Sequence, residues 1–143
     1  MMYSLVMYVL DYQGYKFYGL KQYNAFLESL NQRAHELRFE DTMALIDANY
    51  DFTPSAFKNG DQLNDAGQNS GSCKVFAFGQ IQQLSEQQTL QLFGQHYRDV
   101  LATPQGSDHQ NIRQFMLHGW AGILFSQLAL TLKNLASLIE WRL

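Results

Sequence analysis

The stretch GQNSGSCKVFAFGQIQQL, residues 67–84, changes from a polar loop to an apolar helix within a few positions. Its first half is rich in Gly, Asn and Ser, which form turns and cap helices. In its second half, apolar residues recur at steps of three and four, a spacing that predicts a buried helix face. We therefore expect a core helix with Cys73, the only cysteine of the chain, in its first turn.

Composition predicts a single globular domain. The chain has 143 residues, of which 46% are apolar, 14% aromatic and 16% charged, and this is enough to build a substantial core. Its formal net charge is −3, and it contains no basic run, so we expect no nucleic-acid binding. A lone cysteine excludes an internal disulfide and fits a reducing cytoplasm.

Neither end of the chain predicts a membrane span. The apolar run in MMYSLVMYVL is short and lacks a preceding basic residue, so we expect neither a signal peptide nor a transmembrane helix. In the C-terminal LFSQLALTLKNLASLIEWRL, polar and charged residues interrupt the apolar positions. That pattern is typical of an amphipathic helix.

The fold class follows from apolar periodicity between Tyr23 and Gly119. Helical spacing recurs in five segments, the fourth opening with a capping box from Ser85 to Gln88 and continuing unbroken through residue 101. The segment from Tyr50 to Phe57 and the run WAGILF at 120–125 predict a strand pair. We expect a mainly α protein of the α+β class, with about five to six helices and a small antiparallel strand pair.

The sequence divides into a domain with an extension at each end. Residues 1–22 form an N-terminal extension, 23–125 the main domain, and 126–143 a C-terminal amphipathic helical extension whose stripe begins at Leu128. Such a stripe needs an apolar partner surface. Three alternatives stay open: the two ends pack together, they form a homodimer contact, or they are frayed.

Cys73 has two interpretations. At a helix start, the partial positive charge of unpaired amides favours a nucleophilic thiolate, and His109 with Asp108 would supply the base and its orienting carboxylate. However, Cys73 also opens the apolar stripe of its helix, and unpaired cysteines are among the most frequently buried residues. We expect a buried, unreactive thiol.

Two helix starts carry dense polar groups, at residues 69–74 and 108–113. The spacing around Gly67 and Gly71 does not match a phosphate-binding Walker loop, but unpaired amides at a helix start favour anions. If the fold brings the two starts together, a ligand site is predicted at Asn69, Ser70, Lys74, His109, Asn111 and Arg113. In the alternative, each cluster caps only its own helix, with Ser107 or Asp108 as the cap of the fifth. The four histidines show no i, i+4 pair, so we expect neither a metal site nor a cofactor.

Five blocks of sequence carry a resemblance to a known family. FEDTMALIDANYDFTPSAFKNG, AGQNSGSCKVFAF, LFGQHYRDVL, DHQNIRQFM and GWAGILF together resemble the HopJ type III effector family, in order from about Phe26 to Phe125. Two departures accompany the likeness. The N-terminal segment is aromatic and apolar where type III signals are usually Ser-rich, and Ser126-Gln127 follows GWAGILF where the family has a Glu-Gly pair.

The resemblance implies a bacterial protein that acts in the cytoplasm or is secreted into a host cell. No biochemical activity is established for that family, so the resemblance supplies no mechanism. We expect a non-enzymatic binding or interaction domain, with a protein partner or, from the two polar helix starts, a small anionic ligand. The alternative is a small cysteine-dependent hydrolase or transferase that uses Cys73 with a histidine.

Overall fold

The computed structural model describes residues 25–133. The expected N-terminal extension and most of the expected C-terminal helix therefore lie outside the described residues, and the homodimer contact through them stays a prediction. Within the described range the helices are α1 (25–32), α2 (Phe39–Asn49), α3 (Ser70–Ile81), α4 (Glu86–Gln91), α5 (Gln95–Ala102) and α6 (Gln110–His118). Short 3₁₀ turns cover Ala34–Glu36 and Gly119–Gly122.

In residues 25–133, five short strands form two small antiparallel sheets. They are β1 (Tyr50–Phe52), β2 (Phe57–Asn59), β3 (Gln62–Asn64), β4 (Ile123–Phe125) and β5 (Leu130–Leu132). One sheet pairs β1 with β5, and the other has the order β3-β2-β4. The predicted α+β class is confirmed, and the expected pairing of the WAGILF segment is realised by β4 on β2, with Phe57 opposite Phe125.

The helix predicted from residues 67–84 is α3, and it lies at the centre of the core. Cys73 and every residue from Val75 to Gly79 are buried, so the helix is surrounded on more than one face. The Phe76 ring contacts the rings of Phe57, Phe93 and Phe115, with centroids 4.9–6.0 Å apart. These contacts connect α3 to β2, to the segment between α4 and α5, and to α6. The segment 67–84 therefore determines the fold, because its helix packs against several distant parts of the chain.

The prediction of one unbroken fourth helix is wrong, because the chain breaks between α4 and α5. Gly94 has φ 56° and ψ −127° there, a backbone conformation that favours glycine. A Cβ at this position would lie 2.5 Å from the Phe39 amide nitrogen. The break is tied to the start of α2 on both sides: the Thr42 hydroxyl donates to the Leu92 carbonyl at 2.7 Å, and the Phe39 amide donates to Gln95 Oε1 at 2.8 Å.

The expected helix from Leu128 does not begin there. Leu130–Leu132 instead forms β5, paired with β1 in the register Tyr50↔Leu132. The backbone bond from the Thr53 amide to the Ala129 carbonyl extends this pairing by one residue. Pairing with the open hydrogen-bonding edge of β1 therefore outweighs the helical spacing of apolar residues in this segment. Within residues 25–133, none of the helices has the length and apolar character needed to cross a membrane.

Candidate functional site

A cleft of about 500 Å³ opens where the starts of α3 and α6 approach each other. Its walls come from distant parts of the sequence: the start of α2, strand β3, both helix starts, and the segment around the break between α4 and α5. The lining residues are Phe39, Gln62, Asn69, Gly71, Ser72, Phe93, His96, His109, Gln110, Asn111 and Ile112. None of these is an acid, so the lining itself presents no carboxylate to a ligand.

Both helix starts in the cleft lack a side-chain cap. The residue before α3 is Asn69 and the residue before α6 is His109, and each has a left-handed backbone with φ 52°. Neither side chain accepts a hydrogen bond from the first turn of its helix. The expected caps Ser107 and Asp108 do not fill this role, because His109 occupies the cap position. First-turn amides at both starts are thus left without the side-chain acceptor that usually satisfies them.

Buried asparagines hold the two helix starts together. Asn111 accepts at Oδ1 from the side-chain amides of Asn59 and Asn64, at 3.0 and 3.1 Å, and donates to Asn64 Oδ1 at 2.9 Å. The Asn69 side chain donates to the same Asn64 oxygen at 2.7 Å. Strands β2 and β3 therefore link α3 and α6 through one polar network, and Asn111 forms part of the cleft wall. Asn59 Oδ1 is the one buried side-chain polar atom without a partner in the part of the chain that the structure describes.

Aromatic rings form another side of the cleft. Phe39 stacks on Phe93 with centroids 6.3 Å apart and meets the His96 ring edge-on at 5.0 Å. Gly71 allows the Phe39 ring to lie against the start of α3, because a Cβ there would come 2.6 Å from the ring. The His96 and His109 rings face each other with centroids 5.0 Å apart. The cleft thus combines an apolar wall with imidazole and amide donors.

A third titratable side chain completes a cluster with the two histidines. Asp99 lies one turn after His96 on α5, and possible ligand atoms of His96, Asp99 and His109 all lie within 4.8 Å of one another. The expectation from sequence that no carboxylate stands at a ligand spacing from a histidine overlooked the i, i+3 spacing of His96 and Asp99, which places both on one helix face. Nothing local to α5 predicted that His109 would join them.

The predicted ligand residues are divided by the structure. Asn69, His109 and Asn111 line the cleft, whereas Ser70, Lys74 and Arg113 are absent from its described lining. Lys74 Nζ is bonded to Asp47 Oδ1 at 2.8 Å and lies 5.0 Å from the centre of the Phe52 ring.

The Arg113 side chain is hydrogen-bonded to the loop before α6. Its guanidinium donates to the Asp108 carboxylate at 2.7 Å and to the Thr103 carbonyl at 2.9 Å. The hydrogen bond from Arg113 lowers the pKa of Asp108 below its usual range. We infer that Arg113 positions the segment leading to His109 and does not itself face the cleft.

Cys73 is buried, as predicted. Its side chain is 1% exposed, it does not line the cleft, and its thiol lies 3.6 Å from the Ser55 carbonyl as a hydrogen-bond donor. Burial raises the pKa of the Cys73 thiol, which disfavours the thiolate. His109 Nε2 lies 3.8 Å from Asp108 Oδ2. These two residues belong to the loop and start of α6, however, and not to α3, which carries Cys73.

Fold and site together define a small α+β protein with a ligand-sized cleft between two uncapped helix starts. A family model described as HopJ type III effector protein matches residues 23–130, so the chain belongs to the HopJ family. It is also similar to a solved structure described as "Crystal structure of unknown function protein VPA0580", with 53% sequence identity and a TM-score of 0.74. That match covers 77% of this chain and 92% of the other. No curated protein matches the chain.

Proposed function

We propose that this HopJ protein is a non-enzymatic binding domain that holds a small organic anion in the cleft between α3 and α6. One observation carries the proposal: two helices of 12 and 9 residues begin at the same cleft, and both lack a side-chain cap and an acidic residue in the first turn. Unpaired amides and the positive end of the helix dipole favour a negatively charged group there.

Other helices of the chain supply a useful contrast. Helix α2 has Glu40 and Asp41 in its first turn, and α4 starts with a capping box in which Ser85 and Gln88 satisfy each other's backbone amides. The chain thus neutralises these two helix starts with its own side chains, whereas α5, which follows Gly94 and carries His96 of the cleft lining, also lacks a side-chain cap and a first-turn acid. A ligand anion would supply the missing negative charge at α3 and α6.

Cleft size and lining favour a ligand with an apolar or planar part. A volume of about 500 Å³ lies in the range of small-molecule sites, and Phe39, Phe93 and Ile112 offer apolar contacts. Cys73 lies outside this lining, which supports binding over the alternative cysteine-dependent hydrolase or transferase.

The test is an amide NMR titration of metal-free protein with phenyl phosphate, using benzyl alcohol as the neutral comparison. We expect shifts concentrated at residues 69–72 and 109–112 with phenyl phosphate only. Gln110→Glu places a negative charge in the cleft and should weaken binding about fivefold. Gln105→Glu, at an exposed position outside the cleft, is the matched control and should change binding by less than about twofold.

Three results would count against the proposal. These are shifts scattered over other surfaces, equal binding of benzyl alcohol, and equal effects of the Gln110 and Gln105 substitutions.

We propose the bacterial cytoplasm, or a host cell after delivery, as the place of action; the family description supports delivery. Fusion of the full chain to a reporter enzyme that is active only inside host cells tests this. A signal that requires an intact type III apparatus supports delivery, and retention of all reporter in the bacterium favours the cytoplasm.

A further inference from the structure

His96, Asp99 and His109 form a cluster at the edge of the cleft, and each has a side chain of a type that can coordinate a metal ion. Their possible ligand atoms lie within 4.8 Å of one another, and both histidines line the cleft. The sequence contains four histidines, and this is the only pair of them whose rings are in contact within residues 25–133. Spacing led us to expect no metal site, and the tertiary arrangement leads to the opposite hypothesis.

The backbone holds two of the three groups on one helix face. His96 and Asp99 are three residues apart on α5, so their side chains point in nearly the same direction. The break at Gly94 turns α5 toward the cleft, and the edge of the Phe39 ring packs against His96. His96 is therefore supported by packing from one side and faces His109 on another.

His109 is presented by an unusual backbone conformation. Its φ of 52° and ψ of 49° place it in the left-handed region, which few non-glycine residues adopt. Such conformations cost free energy and cluster at functional sites. Arg113 holds the segment just before it through Asp108 and Thr103, so the position of His109 is determined by more than its own preference.

Asp99 is better placed than Asp108 to be the carboxylate ligand. Asp108 is already bonded to Arg113, whereas the Asp99 carboxylate makes no hydrogen bond or ion pair with any residue in the described range. Asp99 is exposed, so its charge carries no burial penalty in the metal-free protein.

We propose that His96, Asp99 and His109 bind one divalent first-row transition ion, with Zn²⁺ as the reference metal. Two imidazoles and one carboxylate suit zinc and ferrous iron, whereas Mg²⁺ and Ca²⁺ prefer sites made only of oxygen. Three protein ligands leave at least one coordination position open, and both histidines line the cleft. This inference goes beyond the proposed anion binding and does not require it.

The distances require a modest closure of the cluster. In a tetrahedral zinc site with ligand bonds of about 2.0–2.1 Å, two ligand atoms are about 3.3 Å apart. The possible ligand atoms lie within 4.8 Å of one another, so side-chain torsions of the three residues would shorten the longest separation by at most about 1.5 Å.

The experiment is calorimetric titration of the full, metal-stripped chain with Zn²⁺, in parallel with visible spectroscopy of the Co²⁺ form. We expect one Zn²⁺ per chain, no detectable Mg²⁺ binding, and Co²⁺ bands of the intensity typical of low coordination number. His96→Gln and His109→Asn should weaken Zn²⁺ binding by at least about 100-fold, and Asp99→Asn by at least about 10-fold. Asparagine tolerates the left-handed backbone at 109, and position 99 is exposed, so these variants should fold.

His35→Gln is the matched control. His35 is exposed and also has a carboxylate beside it, with Nε2 3.6 Å from Glu36 Oε1, but within residues 25–133 it belongs to no group of three possible metal ligands. Its substitution should leave Zn²⁺ affinity within about twofold. Absence of stoichiometric binding, or equal losses in the His35 and His96 variants, would overturn the proposal. Because the Gln110 substitution tests the anion in metal-free protein, either proposal can fail without the other.

Discussion

The imidazole rings of His96 and His109 lie with their centroids 5.0 Å apart at the edge of the cleft. One ring belongs to the first turn of α5 and the other to the residue that precedes α6. The chain between them, including the turn at Pro104 and Gly106, folds back on itself. Their meeting depends on the break at Gly94 and on the loop held by Arg113, and both features can be tested by substitution.

Gly94→Ala should destabilise the protein strongly. Its Cβ would collide with backbone atoms at the start of α2, the nearest only 2.5 Å away, and its φ of 56° is itself unfavourable for alanine. We expect the free energy of unfolding, measured by urea denaturation, to fall by about 3 kcal/mol or more.

Gly67→Ala separates the steric clash of a Cβ from the cost of a positive φ. Gly67 also has a positive φ, of 89°, but a Cβ there would meet nothing within 4 Å. The control should therefore lose only the backbone contribution, about 1 kcal/mol. Equal losses at the two positions would show that the close approach of α2 is unimportant.

Asn64 and Asn111 should be energetically coupled. They exchange hydrogen bonds of 2.9 and 3.1 Å within a buried network, and removal of one leaves the other with unsatisfied groups. Each single alanine substitution should cost about 2 kcal/mol, and the double variant should cost at least about 1 kcal/mol less than the sum. Urea denaturation of the four proteins measures this coupling.

The comparison pair is Asn64 with Ser85, which lies in the capping box of α4. Those two substitutions share no partner in the described contacts, so their effects should add to within about 0.5 kcal/mol. A cycle for Asn64 and Asn111 that is equally additive would contradict the existence of a cooperative network.

Arg113→Ala should loosen the loop before α6. The side chain donates to the Thr103 carbonyl and to both the carbonyl and carboxylate of Asp108, and it is only 12% exposed. We expect a loss of about 2 kcal/mol in the free energy of unfolding and faster hydrogen exchange at residues 104–109. Arg113→Lys should recover part of the stability, because lysine keeps the charge but not the planar fork.

Arg33→Ala is the control for loss of an arginine, since Arg33 is exposed and should contribute less than about 0.5 kcal/mol. An Arg113→Ala protein as stable as this control, with unchanged exchange in the loop, would refute the positioning role.

Cys73 should resist thiol reagents in the native protein. Its burial limits access, and its raised pKa reduces the thiolate fraction at any pH below that value. We expect native labelling at pH 8 to be at least about 100-fold slower than labelling in urea.

A matched exposed thiol makes the measurement interpretable. Gln80 is exposed on the same helix, so the Gln80→Cys, Cys73→Ala protein should label rapidly without denaturant. Rapid native labelling of the wild-type thiol would contradict its structural role and revive the cysteine-dependent alternative.

Local sequence determined the elements whose signals are contained within one segment. The apolar period of residues 67–84 produced α3, and the Ser85 capping box started α4 where predicted, since its two side chains satisfy two backbone amides within one turn. The polar character of the starts of α3 and α6 was also readable from sequence. Such features depend on contacts between near neighbours, which spacing encodes directly.

Tertiary structure alone decided the features that depend on a partner from elsewhere in the chain. Gly94 permits a helix break, but the close approach of the backbone at the start of α2 makes the break necessary. No pattern within residues 86–101 indicates that approach. Strand β5 formed because β1 offered an edge. Lys74 and Arg113 carry charges suited to an anion, yet Asp47 and Asp108 hold them elsewhere. His96, Asp99 and His109 likewise come together only in the tertiary structure, because the loop after α5 brings His109 back to the first turn of α5.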